Sequence, residues 1–384
     1  MRAVGLMSGT SLDGIDAALV GLRPQTGGYA VTLERFITVP FEKPLRARLE
    51  SVLPPSGGSV EAVARLHAEL GAAFAGAART VAKGERIDFA ATHGLTVFHD
   101  GARATTLQIA RPYELRDALR ATVIWDFRSA DCALGGEGAP LVPFVDALLF
   151  GSPDEDRVAV NIGGICNLSV LLRGCTPQQV LGFDCGPGVM LLDEYVRRRC
   201  GEPFDRDGAY ACAGTVDERV AERLLADPYF SQEPPKSTGR ERFGRSLFDA
   251  NADALGALSI EDGCATLAAV TVRPLAAAIR RYAPDAARIV TGGGGSQNRA
   301  LLRMLQERLP ARMRVVTSDE MGIDPDAKEA IAFAVLGYET LRGRPANVPA
   351  VTGARAQTVL GSIVPYELPA LLASVAREVD AGRS

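Results

Sequence analysis

The feature that most limits how this chain can fold occurs twice: an apolar strand, a glycine-bearing turn, and a second apolar strand. In the first copy, Arg2 to Met7, Ile15 to Leu22 and Tyr29 to Val39 read as three strands in an antiparallel meander. In the second copy, Arg157 to Asn161, Leu168 to Leu172 and Val180 to Phe183 read the same way around Gly163-Gly164. A helix is expected from Val60 to Lys83, with Val63, Leu66, Leu70 and Phe74 at helical spacing after a Ser59 cap. Ile87 to Thr92, Thr105 to Ala110, the helical Tyr113 to Arg120 and the strand-like Thr122 to Phe127 complete the first half. The second half continues with helices from Val189 to Cys200, Ala265 to Tyr282, Asn298 to Leu309 and Ala327 to Arg342, and with strands from Arg288 to Thr291 and Met313 to Thr317. Pro274 predicts a kink or a break into two helices. Strands alternating with helices place the chain in the α/β class and predict a mostly parallel inner sheet.

A length of 384 residues suits about two domains. The glycine-rich stretch Ala133 to Pro140 is the candidate border. It gives an N-terminal α/β domain over 1–130, with the C-terminal tail a candidate to join it, and a C-terminal α/β domain over 131–384. The 42 basic and 46 acidic side chains give a formal charge of −4, and 47% of residues are hydrophobic. This composition excludes disorder, and the absence of a basic run argues against nucleic acid or a membrane surface as partner. The N-terminal apolar stretch is too short for a signal peptide, and no uninterrupted apolar run approaches the roughly 20 residues of a membrane span, so a cytoplasmic protein is expected. The seven cysteines include no C-x-x-C pair and read as reduced thiols.

Three glycine turns can take phosphate. Met7 to Asp16 contains Gly9, Thr10, Ser11, Leu12, Asp13, Gly14, Ile15 and Asp16. Its glycines let successive amides face an anion, its hydroxyls add donors, and Asp13 and Asp16 suit a hydrated magnesium ion. The same residues also make an ordinary hairpin turn. The second turn holds Gly163 and Gly164. The third runs Gly292, Gly293, Gly294 and Gly295 into a helix whose N-terminus suits an anion, while the glycine surface suits a base or ribose. None has P-loop or dinucleotide-fingerprint spacing.

Asp184, at the end of an apolar strand and just before a helix, sits where an α/β sheet presents groups to a ligand, and is the candidate general base. A capping role is the plainer alternative. Arg128 suits bidentate binding of an acid, or ion pairing with Asp126, Asp131 or Glu137. His93 and His99 follow a strand and suit a sugar or phosphate better than a metal, since no third ligand lies nearby. Glu329 begins a helix, where an acid also favours the dipole.

The ordered set of turns and the strand-end aspartate resembles the sugar kinase, Hsp70 and actin superfamily. More narrowly, Met7-Ser8-Gly9-Thr10-Ser11-Leu12-Asp13-Gly14, Asp126-Phe127-Arg128, Gly136-Glu137-Gly138-Ala139-Pro140-Leu141, Asn161-Ile162-Gly163-Gly164-Ile165, Phe183-Asp184-Cys185-Gly186-Pro187-Gly188 and Lys328-Glu329-Ala330 resemble the anhydro-N-acetylmuramic acid kinase family, in order along nearly the whole chain. The resemblance implies a two-domain actin-like ATPase, ribonuclease H-like in each domain, with a central ATP cleft. It implies an enzyme of peptidoglycan recycling that uses ATP, Mg2+ and water to open 1,6-anhydro-N-acetylmuramic acid and phosphorylate it to N-acetylmuramic acid 6-phosphate. It also implies a homodimer. By resemblance, Gly9 to Asp16 and Gly163-Gly164 bind ATP phosphates, Gly292, Gly293 and Gly294 lie near the adenosine, and Asp184 is the catalytic base. Arg128, Glu329 and His93 fall to the sugar, and the metal ligands stay unassigned.

Three positions depart from the family pattern: Leu95 stands for Gln, Cys185 for Thr and Val189 for Asn. They bear on substrate preference. The alternatives are a kinase for another sugar and a nucleotide-binding switch or scaffold of the same superfamily.

Overall fold

The computed structural model describes residues 1–9, 12–25, 28–54 and 57–381. The chain packs as two compact units, one of residues 1–149, 176–179 and 327–384, the other of residues 150–175 and 180–326.

The first unit is built on strands β1 (Arg2–Ser8), β2 (Gly14–Gln25), β3 (Gly28–Pro40), β4 (Phe89–Asp100), β5 (Thr105–Ile109) and β6 (Thr122–Trp125). The sheet order is β3-β2-β1-β4-β6, with β1, β2 and β3 antiparallel and β4 and β6 parallel to their inner neighbours. Strand β5 pairs with β4. The meander expected from the first three apolar runs is therefore present. Helix α1 (Lys43–Val52), which the sequence pattern does not single out, precedes α2 (Val60–Ala82). Ser59 caps α2 through the Ala62 amide at 3.1 Å, and Leu66, Leu70 and Phe74 are buried against the sheet, as the spacing predicts. Helix α3 (Pro112–Leu119) follows β5.

The second unit repeats the order with strands numbered on from the first: β7 (Arg157–Ile162), β8 (Ile165–Leu171), β9 (Leu181–Pro187), β10 (Arg288–Gly292) and β11 (Arg314–Thr317), arranged β9-β8-β7-β10-β11. Its parallel pairings are β7 with β10 and β10 with β11, and its antiparallel ones are β7 with β8 and β8 with β9. The inner sheet is thus half antiparallel rather than mostly parallel, because the opening meander is part of it. Two sheets of one order, each a meander extended by parallel strands, make the duplicated ribonuclease H-like architecture of an actin-like ATPase fold.

Helix α4 (Met190–Cys200) follows β9, and α5 (Ile260–Tyr282) is one continuous element through Pro274. Buried Val270, Val272, Leu275, Ala276 and Ile279 anchor it on both sides of the proline, so of the kink or break expected there the break into two helices does not occur. Helix α5 has the length and composition of a membrane span, and its apolar window is 78% buried within the protein. Helix α6 (Arg299–Arg308) completes this unit.

The chain then returns to the first unit with α7 (Lys328–Leu341), strand β12 (Ser362–Val364) and α8 (Leu368–Ala381). Strand β12 pairs antiparallel with β6 and adds an outer strand to the first sheet. The units therefore depart from a division at 130/131: the first crossing falls at 149/150, and residues 327–384 belong with the N-terminal unit. Ala133 to Pro140, expected as a border, lies inside the first unit. Its glycine stretch is fixed by buried Asp131, whose carboxylate accepts from the Gly138 amide at 2.9 Å and from Asn347 and Thr352 at 2.8 Å each. A glycine-rich stretch wired to a buried carboxylate in this way is a pinned loop, not a linker.

Candidate active site

In the first unit the β1–β2 turn is shut at its neck by a side chain. Buried Ser8 donates its hydroxyl to the Gly14 carbonyl at 2.8 Å. The Leu12 amide donates to the Gly9 carbonyl at 3.2 Å, Leu12 takes φ 58° with its side chain in the core, and Asp13 is exposed. Gly14 is required by packing, since a Cβ there would lie 2.5 Å from the Val39 carbonyl oxygen. Ile15 is buried, and Asp16, the next residue of β2, accepts from Thr38 at 2.6 Å. Thr10 and Ser11 lie outside the described residues.

Helix α7 lies unusually close to β1, because a Cβ on Gly5 would fall 1.9 Å from the Ala330 carbonyl oxygen. That close approach sets the first turn of α7, and with it Glu329, against the strand that ends in the turn. Lys328 is buried and ion-paired to buried Asp146 at 2.8 Å. Burial pushes the half-buried Glu329 carboxyl above its usual range; the Lys328 charge opposes this and Asp16 adds to it. No side-chain hydrogen bond to Glu329 is made among the described residues, and a carboxyl perturbed by burial in this way is a candidate functional group.

His93 and Arg128 form a pair. The Arg128 Nε donates to His93 Nε2 at 2.9 Å, and Nη1 donates to the Gly138 carbonyl at 2.7 Å. For Nε2 to accept, His93 must be the neutral Nδ1–H tautomer, whose other nitrogen faces the Gly94 carbonyl at 3.2 Å. Burial, reinforced by the Arg128 charge, holds the imidazole well below its usual pKa. The ring lies 4.7 Å from the Phe333 ring of α7. Arg128 itself is brought down to about 10 by burial. Among the described residues it has no ion pair, so the expected alternative of pairing with Asp126, Asp131 or Glu137 is not taken. His99, by contrast, sits exposed beside Thr106. Asp16, His93, Arg128 and Glu329 are thus drawn into one electrostatic neighbourhood of the first unit.

In the second unit the Gly163-Gly164 turn is shut by backbone. The amides of Gly188 and Val189 donate to the carbonyls of Gly164 and Gly163 at 2.8 and 2.9 Å. A Cβ on Gly188 would lie 2.0 Å from the Gly163 oxygen. Val189 contributes its amide here and makes no side-chain cap on α4, which explains how Val can stand at this position. Gly293, at φ 79°, packs on the same turn, its Cβ position 2.7 Å from Asn161 Oδ1 and 2.9 Å from the Ile162 oxygen. Gly292 ends β10, and Gly294 faces open space. The expectation of an open helix N-terminus after this run is not met. A short 3-10 turn, Gly294–Gln297, intervenes, and Asn298 Oδ1 accepts from the Ala300 and Leu301 amides at 3.0 and 3.2 Å, occupying the donors an anion would use.

Asp184 stands half-buried opposite Asn167 of β8, at the middle of β9 and not at a strand end as expected, because β9 runs on through Pro187. Its backbone and carboxylate are held by a segment that none of the sequence motifs includes. The Asp184 amide donates to the Lys236 carbonyl at 3.3 Å, its carbonyl accepts from the Tyr229 hydroxyl at 2.8 Å, and Oδ2 accepts from the Thr238 amide at 2.9 Å. The only signal of that segment in the sequence is Pro234-Pro235-Lys236-Ser237-Thr238-Gly239-Arg240, a turn-rich run carrying two cations. Cys185, the next residue, is buried in the core with its thiol pushed up by burial, and Leu95 is buried in the core of the first unit. Both departures from the family pattern are therefore absorbed by packing. Among the described residues no three His, Cys, Asp or Glu side chains group as metal ligands.

Residues 1–366 match the family model described as anhydro-N-acetylmuramic acid kinase. The chain belongs to the anhydro-N-acetylmuramic acid kinase family. Similar proteins bearing that name include one from Salinibacter ruber, 42% identical over 378 residues, with 94% of this chain and 95% of that protein covered. One from Gloeobacter violaceus is 41% identical over 373 residues, covering 94% and 98%. One from Caldanaerobacter subterraneus is 38% identical over 382 residues, covering 94% and 96%. This chain covers 95–98% of those three anhydro-N-acetylmuramic acid kinases, and the glycine turns, Asp184, Arg128 and Glu329 fall within the residues matched by the family model.

Proposed function

We propose that this chain is an ATP-dependent sugar kinase that hydrolytically opens 1,6-anhydro-N-acetylmuramic acid and phosphorylates it to N-acetylmuramic acid 6-phosphate, in the cytoplasm and as a homodimer. The observation that carries the reading is Asp184, a half-buried carboxylate at the middle of β9 in the sheet that also presents the Gly163-Gly164 turn. In this role Asp184 accepts a proton from a water that attacks the anomeric carbon. The bond from that carbon to the bridging oxygen breaks, and the released oxygen takes the phosphoryl group. Gly9 to Asp16 and Gly163-Gly164 bind the ATP phosphates, and Gly292, Gly293 and Gly294 form the surface for the adenosine.

Arg128, with donors unspent after His93 and Gly138, suits the acidic group of the sugar. His93 positions Arg128, and Glu329 contacts the sugar. The oxygen donors of exposed Asp13 and half-buried Asp16 fit a hydrated Mg2+, which needs only one or two carboxylates and would neutralise phosphate charge.

The test is mass spectrometry of the product made with ATP, magnesium and anhydro-sugar in heavy-oxygen water. A phosphorylated sugar with solvent oxygen at the anomeric carbon is expected. Return of the sugar unchanged while ATP binds would overturn the substrate. Asp184→Asn should keep nucleotide binding and lose turnover by at least about 10²-fold, in line with removal of a general base; near-normal turnover would remove Asp184 from the mechanism.

A further inference from the structure

Strand β9 is the edge of its sheet, so the ladder holds Asp184 from one side only. Its outward amide and carbonyl are taken instead by residues 229–238. That segment is itself closed: Asp227 accepts from the Tyr229 amide at 2.8 Å and from Arg242 Nη2 at 2.6 Å. Lys236 donates to the Tyr229 carbonyl at 3.2 Å and lies over the Tyr229 and Phe183 rings. Phe230 rests on Gly186, where a Cβ would come within 2.6 Å of its ring. The plain reading is that the segment covers an exposed edge. Edge cover accounts for the two backbone bonds, but not for the third, in which the Thr238 amide donates to the carboxylate itself at 2.9 Å.

We propose that Tyr229 and the Thr238 amide are positioning groups for Asp184, and that residues 227–243 form a clamp that fixes the rotation of its carboxylate. The proposal rests on Asp184 being the general base. A base on an edge strand has no second ladder neighbour to define its backbone, and a misplacement of about 1 Å can cost about 10²-fold in rate. The clamp supplies the missing side. Tyr229 holds the carbonyl, Lys236 the amide and Thr238 one carboxylate oxygen, so three points determine where the other oxygen lies.

The experiment compares kcat and KM of the full chain with Tyr229→Phe, Thr238→Pro, Asp184→Asn and Tyr210→Phe. Tyr210→Phe, the control, removes a hydroxyl bonded to Glu202, a contact of the same unit outside residues 227–243. Tyr229→Phe should lower kcat about tenfold, a fraction of the full misplacement effect, with KM for ATP and the melting temperature nearly unchanged. Thr238→Pro, which deletes the amide, should fall further toward Asp184→Asn. Tyr210→Phe should match the parent. A folded Tyr229→Phe with parental kcat, beside an inactive Asp184→Asn, would overturn the clamp and leave the base in place. The clamp is equally overturned if kcat, KM and melting temperature all deteriorate together, since that marks a fold contact. Parental turnover in Asp184→Asn would instead overturn the base, and the clamp with it. Should Thr238→Pro fail to fold, Tyr229→Phe alone decides.

Discussion

The two units share a strand order and differ in what holds their first turn. In the first, Ser8 reaches across the neck with its side chain. In the second, the Gly188 and Val189 amides cross to Gly164 and Gly163 with no side chain taking part. The same contrast extends to the surroundings. The first unit is organised by buried charge and hydrogen-bonding side chains, namely Asp131, the Lys328–Asp146 pair and the His93–Arg128 pair. The second relies on glycines at its turn and, around Asp184, on the Thr238 amide and Lys236 carbonyl together with one side chain, Tyr229. Equivalent positions in equivalent sheets can therefore obey different rules of substitution: side-chain identity matters where a side chain closes the turn, and the absence of a side chain matters where backbone does.

The sharpest way to break this comparison is Gly188→Ala. Its Cβ would sit 2.0 Å from a backbone oxygen that cannot move without opening the turn. We expect a loss of more than about 3 kcal/mol, beyond ordinary overpacking, read as a large fall in melting temperature or failure to accumulate folded protein. A stable Gly188→Ala protein would show that the backbone closure is not what fixes the second turn. Next comes Ser8→Ala, which leaves the Gly14 carbonyl without its buried donor. A cost of about 1–3 kcal/mol is expected by urea titration, with weaker nucleotide binding; an unchanged midpoint would remove the side-chain closure of the first turn.

The smallest effect is one of pH. All three histidines lie in the first unit, and two of them, His67 and His93, are held below their usual pKa by burial. The unfolded chain therefore binds more protons than the folded one below about pH 6.5, and stability falls as pH drops through that value. One histidine contributes at most about 1.4 kcal/mol per pH unit. Glu329, raised above its usual range, works in the opposite sense above about pH 4.5. The informative quantity is thus the difference between parent and His93→Gln in melts from about pH 5 to 7.5, a window that brackets the ordinary histidine value. The variant should show the shallower slope, and hydrogen exchange at the acid end should report loosening in the first unit before the second. Equal slopes would mean that His93 does not couple to folding.

How much of the molecule is legible in the sequence depends on the range of the interaction. The Ser59-capped α2, the opening meanders and the strand leading into Gly292 are set by neighbours a few residues apart, and their periodicity carries them. Pro274 promises a kink or a break, and packing on both sides of it keeps one continuous helix. Ala133 to Pro140 has the composition of a linker, but its partners Asn347 and Thr352 lie more than two hundred positions away, so nothing local reveals that it is pinned. The glycine turns and Asp184 can be named because their residue types carry a mechanism on their face. The groups that hold Asp184 cannot, since Tyr229 and Thr238 act from 45 and 54 positions away and two of the three bonds in the grip use the main chain of Thr238 or Lys236. For the same reason Arg128 reads with acidic neighbours in sequence, whereas its bonds go to a histidine and a carbonyl.

The return of residues 327–384 to the first unit has a consequence for the order of synthesis. The strand that emerges from the ribosome earliest, β1, packs beneath α7, and Asp131 waits for Asn347 and Thr352. Nearly all of the second unit lies between them in the chain and has its residues in hand by position 326. The half made first is thus the half finished last, and a nascent chain stalled near position 326 would carry all residues of the second unit beside a first unit whose buried Asp131 has Gly138 but still lacks Asn347 and Thr352. Such a chain is the kind of intermediate that domain-by-domain folding exposes to chaperones.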